Sequence, residues 1–143
     1  MKRVIRGGTV ITPLDVFEQA DVVIEGSRII GVGPGIACGE ACETIEAQGL
    51  FVVPGFVDIH VHGSAGHDTM DGTREAIAGM AQFFATRGVT SFCPTSMTMG
   101  GEAIMQSVRA VKECMDNPIA GAQPLGVHLE GPYIDGKMKG AQP

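Results

Sequence analysis

The hydrophobic pattern changes character at Pro54-Gly55, and this change restricts the possible folds more than any other feature of the chain. Up to about residue 54 the sequence reads as short strands punctuated by turns. Val4-Ile5 and Thr9-Val10-Ile11-Thr12 flank Gly7-Gly8, and Asp21-Val22-Val23-Ile24-Glu25 and Arg28-Ile29-Ile30-Gly31-Val32 flank Gly26-Ser27. Both patterns predict hairpins. Gly33-Pro34-Gly35 breaks the series, and Glu43 to Gln48 predicts one more strand before Phe51-Val52-Val53. These strands are too few and too short to close a sandwich alone.

Beyond Pro54 strands alternate with helices. Phe56, Val57 and Ile59 read as a short buried strand, followed by the Gly-rich loop Gly63-Ser64-Ala65-Gly66-His67-Asp68. Thr73 is placed to cap a helix from about Arg74 to Arg87, which Gly88 ends. Its apolar residues Ile77, Met80, Ala81 and Phe84 follow the helical period. Val89 to Cys93 predicts a second buried strand and Pro124 to Leu129 a third. Between them Glu102 to Met115 predicts a helix with Ile104, Val108 and Val111 on one stripe. Strand–helix–strand–helix–strand implies an α/β class with parallel strands and right-handed crossovers.

Composition excludes several functions. The chain is 44% hydrophobic and 18% charged, which suits a soluble globular protein with a core. A net charge of −6 without any basic run argues against nucleic acid as a partner. No stretch approaches the ~20 apolar residues of a membrane span, so no membrane partner is expected. The N-terminus lacks the apolar core of a signal peptide. Cys38, Cys42, Cys93 and Cys114 are scattered, complete no zinc site, and read as structural free thiols. A cytoplasmic location follows as the expectation. There is no GxxxxGK[ST] or GxGxxG cradle, and Ser91 and Ser96 lack a nucleophile-elbow context.

The chemistry-bearing residues sit where the predicted strands end. Side chains alternate along a strand, so His60 and His62 point to the same side. Two neutral imidazoles on one face can grip a divalent metal. Thr95 and Ser96 follow the second strand, and His128 and Glu130 end the third, again on one side. A carboxylate at Glu130, between apolar Leu129 and Gly131-Pro132, is costly to bury unpaired and calls for a cation or a strong donor. His128 fits a supporting donor to Glu130, or a polar filler in the strand layer. His67 and Asp68 sit in the Gly-rich loop, and His67 reads as a solvated loop histidine. Lys137 and Lys139 could attract a phosphate, but two loop lysines are more often plain surface charge.

The segment Pro54-Gly55-Phe56-Val57-Asp58-Ile59-His60-Val61-His62 resembles the end of the first barrel strand in the amidohydrolase superfamily. Gly126-Val127-His128-Leu129-Glu130-Gly131-Pro132-Tyr133, Lys137 to Pro143 and Gly88 to Thr95 narrow the resemblance to the N-acetylglucosamine-6-phosphate deacetylases. It implies the first part of a metal-dependent (β/α)8 TIM barrel, residues 55–143 supplying three βα units and residues 1–54 part of a small β-sandwich domain. It also implies hydrolysis of the acetamide of an amino-sugar phosphate, with one or two divalent ions (zinc or iron) per subunit. Glu130 would be the shared metal ligand, bridging when two ions are present, with His60 and His62 holding the second ion. Residues after Gly140, namely Ala141 and Gln142, would contact the substrate. Gln stands at 142 where some relatives have His, and Gln cannot be protonated. The resemblance extends to a homodimer.

A complete barrel needs ~250 residues, so the chain is expected to be the front portion of a longer enzyme. The aspartate base of the family and two further metal-binding histidines would lie beyond Pro143. The alternatives are another amidohydrolase, acting on the galactosamine epimer or on a dihydroorotase-like or dipeptidase-like amide, and a fragment without activity.

Overall fold

The computed structural model describes residues 1–39 and 41–143, which form two compact units, Met1–Pro54 and Gly55–Pro143. In the first unit β1 (Lys2–Ile11), β2 (Val16–Glu25), β3 (Arg28–Gly33), β4 (Cys42–Glu46) and β5 (Phe51–Val52) make one sheet. Its order is β3-β2-β1-β4, and β5 also pairs with β1. β1–β2 and β2–β3 are antiparallel, whereas β4 and β5 run parallel to β1. Val10, Ala20 and Val22 form a buried cluster, supported by Ile5, Phe17, Ile24 and Val52.

The first predicted hairpin is corrected by the structure. β1 runs straight through Gly7-Gly8, where the β1–β2 register shifts. Gly7 takes φ +71°, a conformation that costs glycine little, and its N–H donates to Asp21 Oδ1 at 3.0 Å. Gly-Gly is therefore a bulge. The chain reverses instead at Thr12–Asp15, where the Thr12 N–H donates to the Asp15 carbonyl at 2.9 Å and Thr12 Oγ1 accepts the Asp15 N–H at 2.9 Å. The Gly26-Ser27 hairpin is present, joining β2 to β3. Asp21 is 2% exposed and also accepts the Ile36 N–H at 3.1 Å, with Arg6 Nη1 at 3.5 Å. The free-thiol expectation fails for one pair, since Cys38 and Cys42 form a disulfide. Cysteine spacing alone cannot reveal how close a turn brings two Cα atoms. Cys93 and Cys114 are free, and burial pushes the Cys114 thiol above its usual range against the opposing effect of Arg74.

In the second unit β6 (Phe56–Val61), β9 (Val89–Pro94) and β10 (Gln123–Pro124) form a parallel sheet of order β10-β9-β6. Two-residue strands β7 (Gly63–Ser64) and β8 (His67–Asp68) pair with each other. A single 3-10 turn, Thr69–Asp71, follows β8 and is boxed by Asp68 and Asp71. α1 (Arg74–Ala85) starts at Thr73, whose side chain accepts the Ala76 N–H as the sequence predicts. α2 (Gly101–Asp116) buries Ile104, Ser107, Ala110, Val111 and Cys114, while Val108 is only half-buried. Ile77, Met80, Phe84, Phe92 and Val111 lead the core between the helices and the sheet. Each fully buried side chain of this size contributes about 2 kcal/mol.

Three expectations are corrected in this unit. Phe56, Val57 and Ile59 are 64%, 53% and 68% exposed, because among the described residues β6 pairs with β9 alone and, of this strand, Val61 packs on the helical core. The third strand is shorter than Pro124–Leu129. Its regular pairing ends at Pro124 and resumes as a single parallel bridge between Thr95 and His128. His67 is half-buried, its ring lying against α1 at Gly79, where an added Cβ would come within 2.3 Å of it. Among the described residues no helix is long and apolar enough to cross a membrane.

Candidate metal centre

Parallel pairing brings the C-terminal ends of β6, β9 and β10 to one side of the sheet. Alternation along β6 sets His60 and His62 side by side, with their Nε2 atoms 3.3 Å apart. Asp58 Oδ1 accepts the His60 N–H at 3.1 Å and holds the strand end. From the segment after the Thr95–His128 bridge, Glu130 reaches across, and its Oε2 lies 3.1 Å from Nε2 of each histidine. Buried Ser96 Oγ anchors the Glu130 peptide, accepting its N–H at 3.1 Å and donating to its carbonyl at 3.3 Å.

The donor set suits a divalent cation. Despite these short distances, Glu130 Oε2 accepts no aligned hydrogen bond, although it is shielded from solvent. Three potential ligand atoms, His60 Nε2, His62 Nε2 and Glu130 Oε2, crowd one point at separations of 3.1 to 3.3 Å. Two ligands bound at ~2.0 Å to a tetrahedral ion lie ~3.3 Å apart, the same spacing. Two imidazoles and a carboxylate are the donors that zinc and iron accept.

Comparison with known proteins gives this cluster its context. The profile of the amidohydrolase family matches residues 51–137, a span that includes all three donors. The chain belongs to the amidohydrolase family. Within it, this amidohydrolase groups with the N-acetylglucosamine-6-phosphate deacetylases. It is 35% identical to the enzyme of that name from Lysinibacillus sphaericus over 98% of this chain and 36% of the relative. The crystal structure of the Pasteurella multocida deacetylase superposes with a TM-score of 0.91 at 26% identity, covering 100% of this chain and 38% of that one. A Mycobacterium smegmatis deacetylase variant, solved in complex with N-acetyl-D-glucosamine-6-phosphate, gives 0.76 at 27% identity, over 94% of this chain and 34% of that one. The amidohydrolase chain thus spans about a third of the length of these relatives.

The other residues singled out in the sequence fall into distinct places. His128 stands outside the three-donor cluster: its Nδ1–H donates to the Ile59 carbonyl at 2.9 Å, and its ring lies 4.6 Å from that of His60. It braces β6. Gln142 is buried, its Oε1 accepting the Thr98 N–H at 2.7 Å, whereas Ala141 is exposed. Lys139 Nζ donates to the Gln142 carbonyl at 2.8 Å, so it pins the turn as well as carrying charge. Lys137 is exposed. Asp68 caps the 3-10 turn, accepting the Met70 N–H at 2.8 Å. Sequence reasoning missed the holding roles of Asp58 and Ser96; Ser96 stood out only as a polar residue following the second strand, with nothing to name its partner.

Proposed function

We propose that this chain carries the first metal-binding portion of an enzyme that hydrolyses the acetamide of N-acetylglucosamine-6-phosphate to glucosamine-6-phosphate and acetate. The convergence of His60, His62 and Glu130 on one point carries the reading. In this proposal the second unit opens a (β/α)8 barrel, and the first belongs to a small β domain. His60, His62 and Glu130 would hold a divalent ion, and Glu130 would have its second carboxylate oxygen left for another. Such an ion supplies Lewis acidity, polarising the amide carbonyl and making water more acidic.

The chain's own residues supply placement. His128 keeps β6 oriented through Ile59, and Ser96 keeps the Glu130 peptide in reach of the histidines. The Thr98 bond occupies Gln142 Oε1, so the Gln142 NH2 group is the end that can donate to a sugar hydroxyl or to the acetamide oxygen. Being neutral, it orients substrate and moves no proton. The proton that the departing amine needs comes from the attacking water and is relayed by a general base, assigned outside residues 1–143. The test is acetate release by the metal-loaded natural full-length chain, with N-acetylglucosamine-6-phosphate beside its galactosamine epimer and an N-acyl dipeptide. Turnover is expected to favour the glucosamine substrate; preference for either of the others would replace the assignment.

A further inference from the structure

The two arms of the centre come from segments far apart in sequence, yet both are held by the consecutive residues Thr95 and Ser96, and both of these are 0% exposed. Thr95 grips Val61, the residue between the two histidines. Its N–H donates to the Val61 carbonyl at 2.8 Å, and its Oγ1 accepts the Val61 N–H at 2.9 Å while donating to the Cys93 carbonyl at 3.1 Å. Ser96 grips the other arm: its N–H donates to the His128 carbonyl at 3.0 Å, and its hydroxyl takes both the N–H and the carbonyl of Glu130.

These hydroxyls stand where a regular ladder fails. The β6–β9 register shifts between Asp58 and Val61, and regular pairing of β10 with β9 ends at Pro124. Without the hydroxyls, the Val61 N–H and the Glu130 N–H and carbonyl would lose these partners beside the ligands, where spacing is critical. Neighbouring Cα atoms are ~3.8 Å apart, so one peptide unit fixes the distance between the histidine arm and the carboxylate arm. We propose that Thr95 and Ser96 are positioning residues whose hydroxyls set the separation of the His60–His62 pair from the Glu130 carboxylate. This rests on the reading of the cluster as a metal centre.

The test uses the natural full-length chain, stripped and then titrated with Co2+ alone. Dissociation constants come from chelator competition, and site geometry from the visible absorption bands. Thr95→Val keeps the side-chain shape and removes the hydroxyl; Thr95→Ser keeps the hydroxyl; Ser96→Ala removes the second one. Thr95→Val and Ser96→Ala should each weaken Co2+ binding about 10- to 100-fold and alter the bands, whereas Thr95→Ser stays within about 3-fold of the parent. Folded Val and Ala variants with the parent's affinity and spectrum would overturn the proposal, as would a Thr95→Ser protein as weak as Thr95→Val. So would failure of both hydroxyl-deleted proteins to fold without metal, which would make these groups part of the scaffold. A parent chain that binds no Co2+ sinks the metal centre itself, and the positioning role with it.

Discussion

Buried Asp21 in the first unit and half-buried Glu130 in the second each keep carboxylate oxygen out of water, and they are treated in opposite ways. Asp21 is saturated by the N–H groups of Gly7 and Ile36 and the Arg6 guanidinium, so its charge is spent on shaping a bulge and a crossover. Glu130 has its peptide tied down by Ser96, but its Oε2 faces two imidazole nitrogens and receives no aligned hydrogen. Shielding of a carboxylate oxygen therefore does not by itself distinguish a scaffold carboxylate from a chemical one. The hydrogens directed at its oxygens do.

The contrast breaks most readily at Glu130. Glu130→Gln keeps the shape and removes the charge, so metal affinity should fall more than about 100-fold, beyond what a supporting residue costs. Deacetylase turnover should fall with it, while the melting temperature of the metal-free protein barely moves. Near-parent metal content by elemental analysis would refute the ligand role. Asp21→Ala should show the reverse pattern. Two orphaned backbone donors cost about 1–3 kcal/mol each, so urea denaturation should show a loss of about 3 kcal/mol with Co2+ affinity unchanged. A drop in metal affinity in that variant would erase the distinction between the two carboxylates.

Two smaller effects sharpen the picture of Asp21. The Cys38–Cys42 link lies in the crossover that also presents the Ile36 N–H, so replacing both cysteines with serine tests whether that donor depends on the link. So short a closed loop predicts a loss of about 2 kcal/mol at most, read from the denaturation midpoint. Arg6→Ala should cost under about 1 kcal/mol, because the Arg6 side chain is 40% exposed and its Nη1 is 3.5 Å away. A larger loss would shift the weight of the arrangement from the backbone donors to the charge.

What could be read from the sequence was whatever depends on neighbours along the chain. The Thr73 cap, the periods of both helices and the shared side of His60 and His62 are local consequences of backbone geometry, and the structure shows each of them. What escaped depends on partners distant in sequence. Gly7-Gly8 looks like a turn until Asp21, fourteen residues on, supplies the acceptor that makes it a bulge. The exposure of Val57 and Ile59 is set by which strands pair with β6, and no apolar pattern states that. The Ser96 hold on Glu130 spans thirty-four residues, and a serine after a strand carries no hint of it.

The ring of His67 against Gly79 bears on how this protein can be engineered. Glycine inside a helix is the first position a stability screen would change, since alanine there ordinarily gains about 1 kcal/mol. Here the added methyl carbon would come within 2.3 Å of the imidazole, so the usual gain turns into a collision. Stiffening α1 at Gly79 therefore requires the His67 ring to swing aside, or a smaller residue at 67.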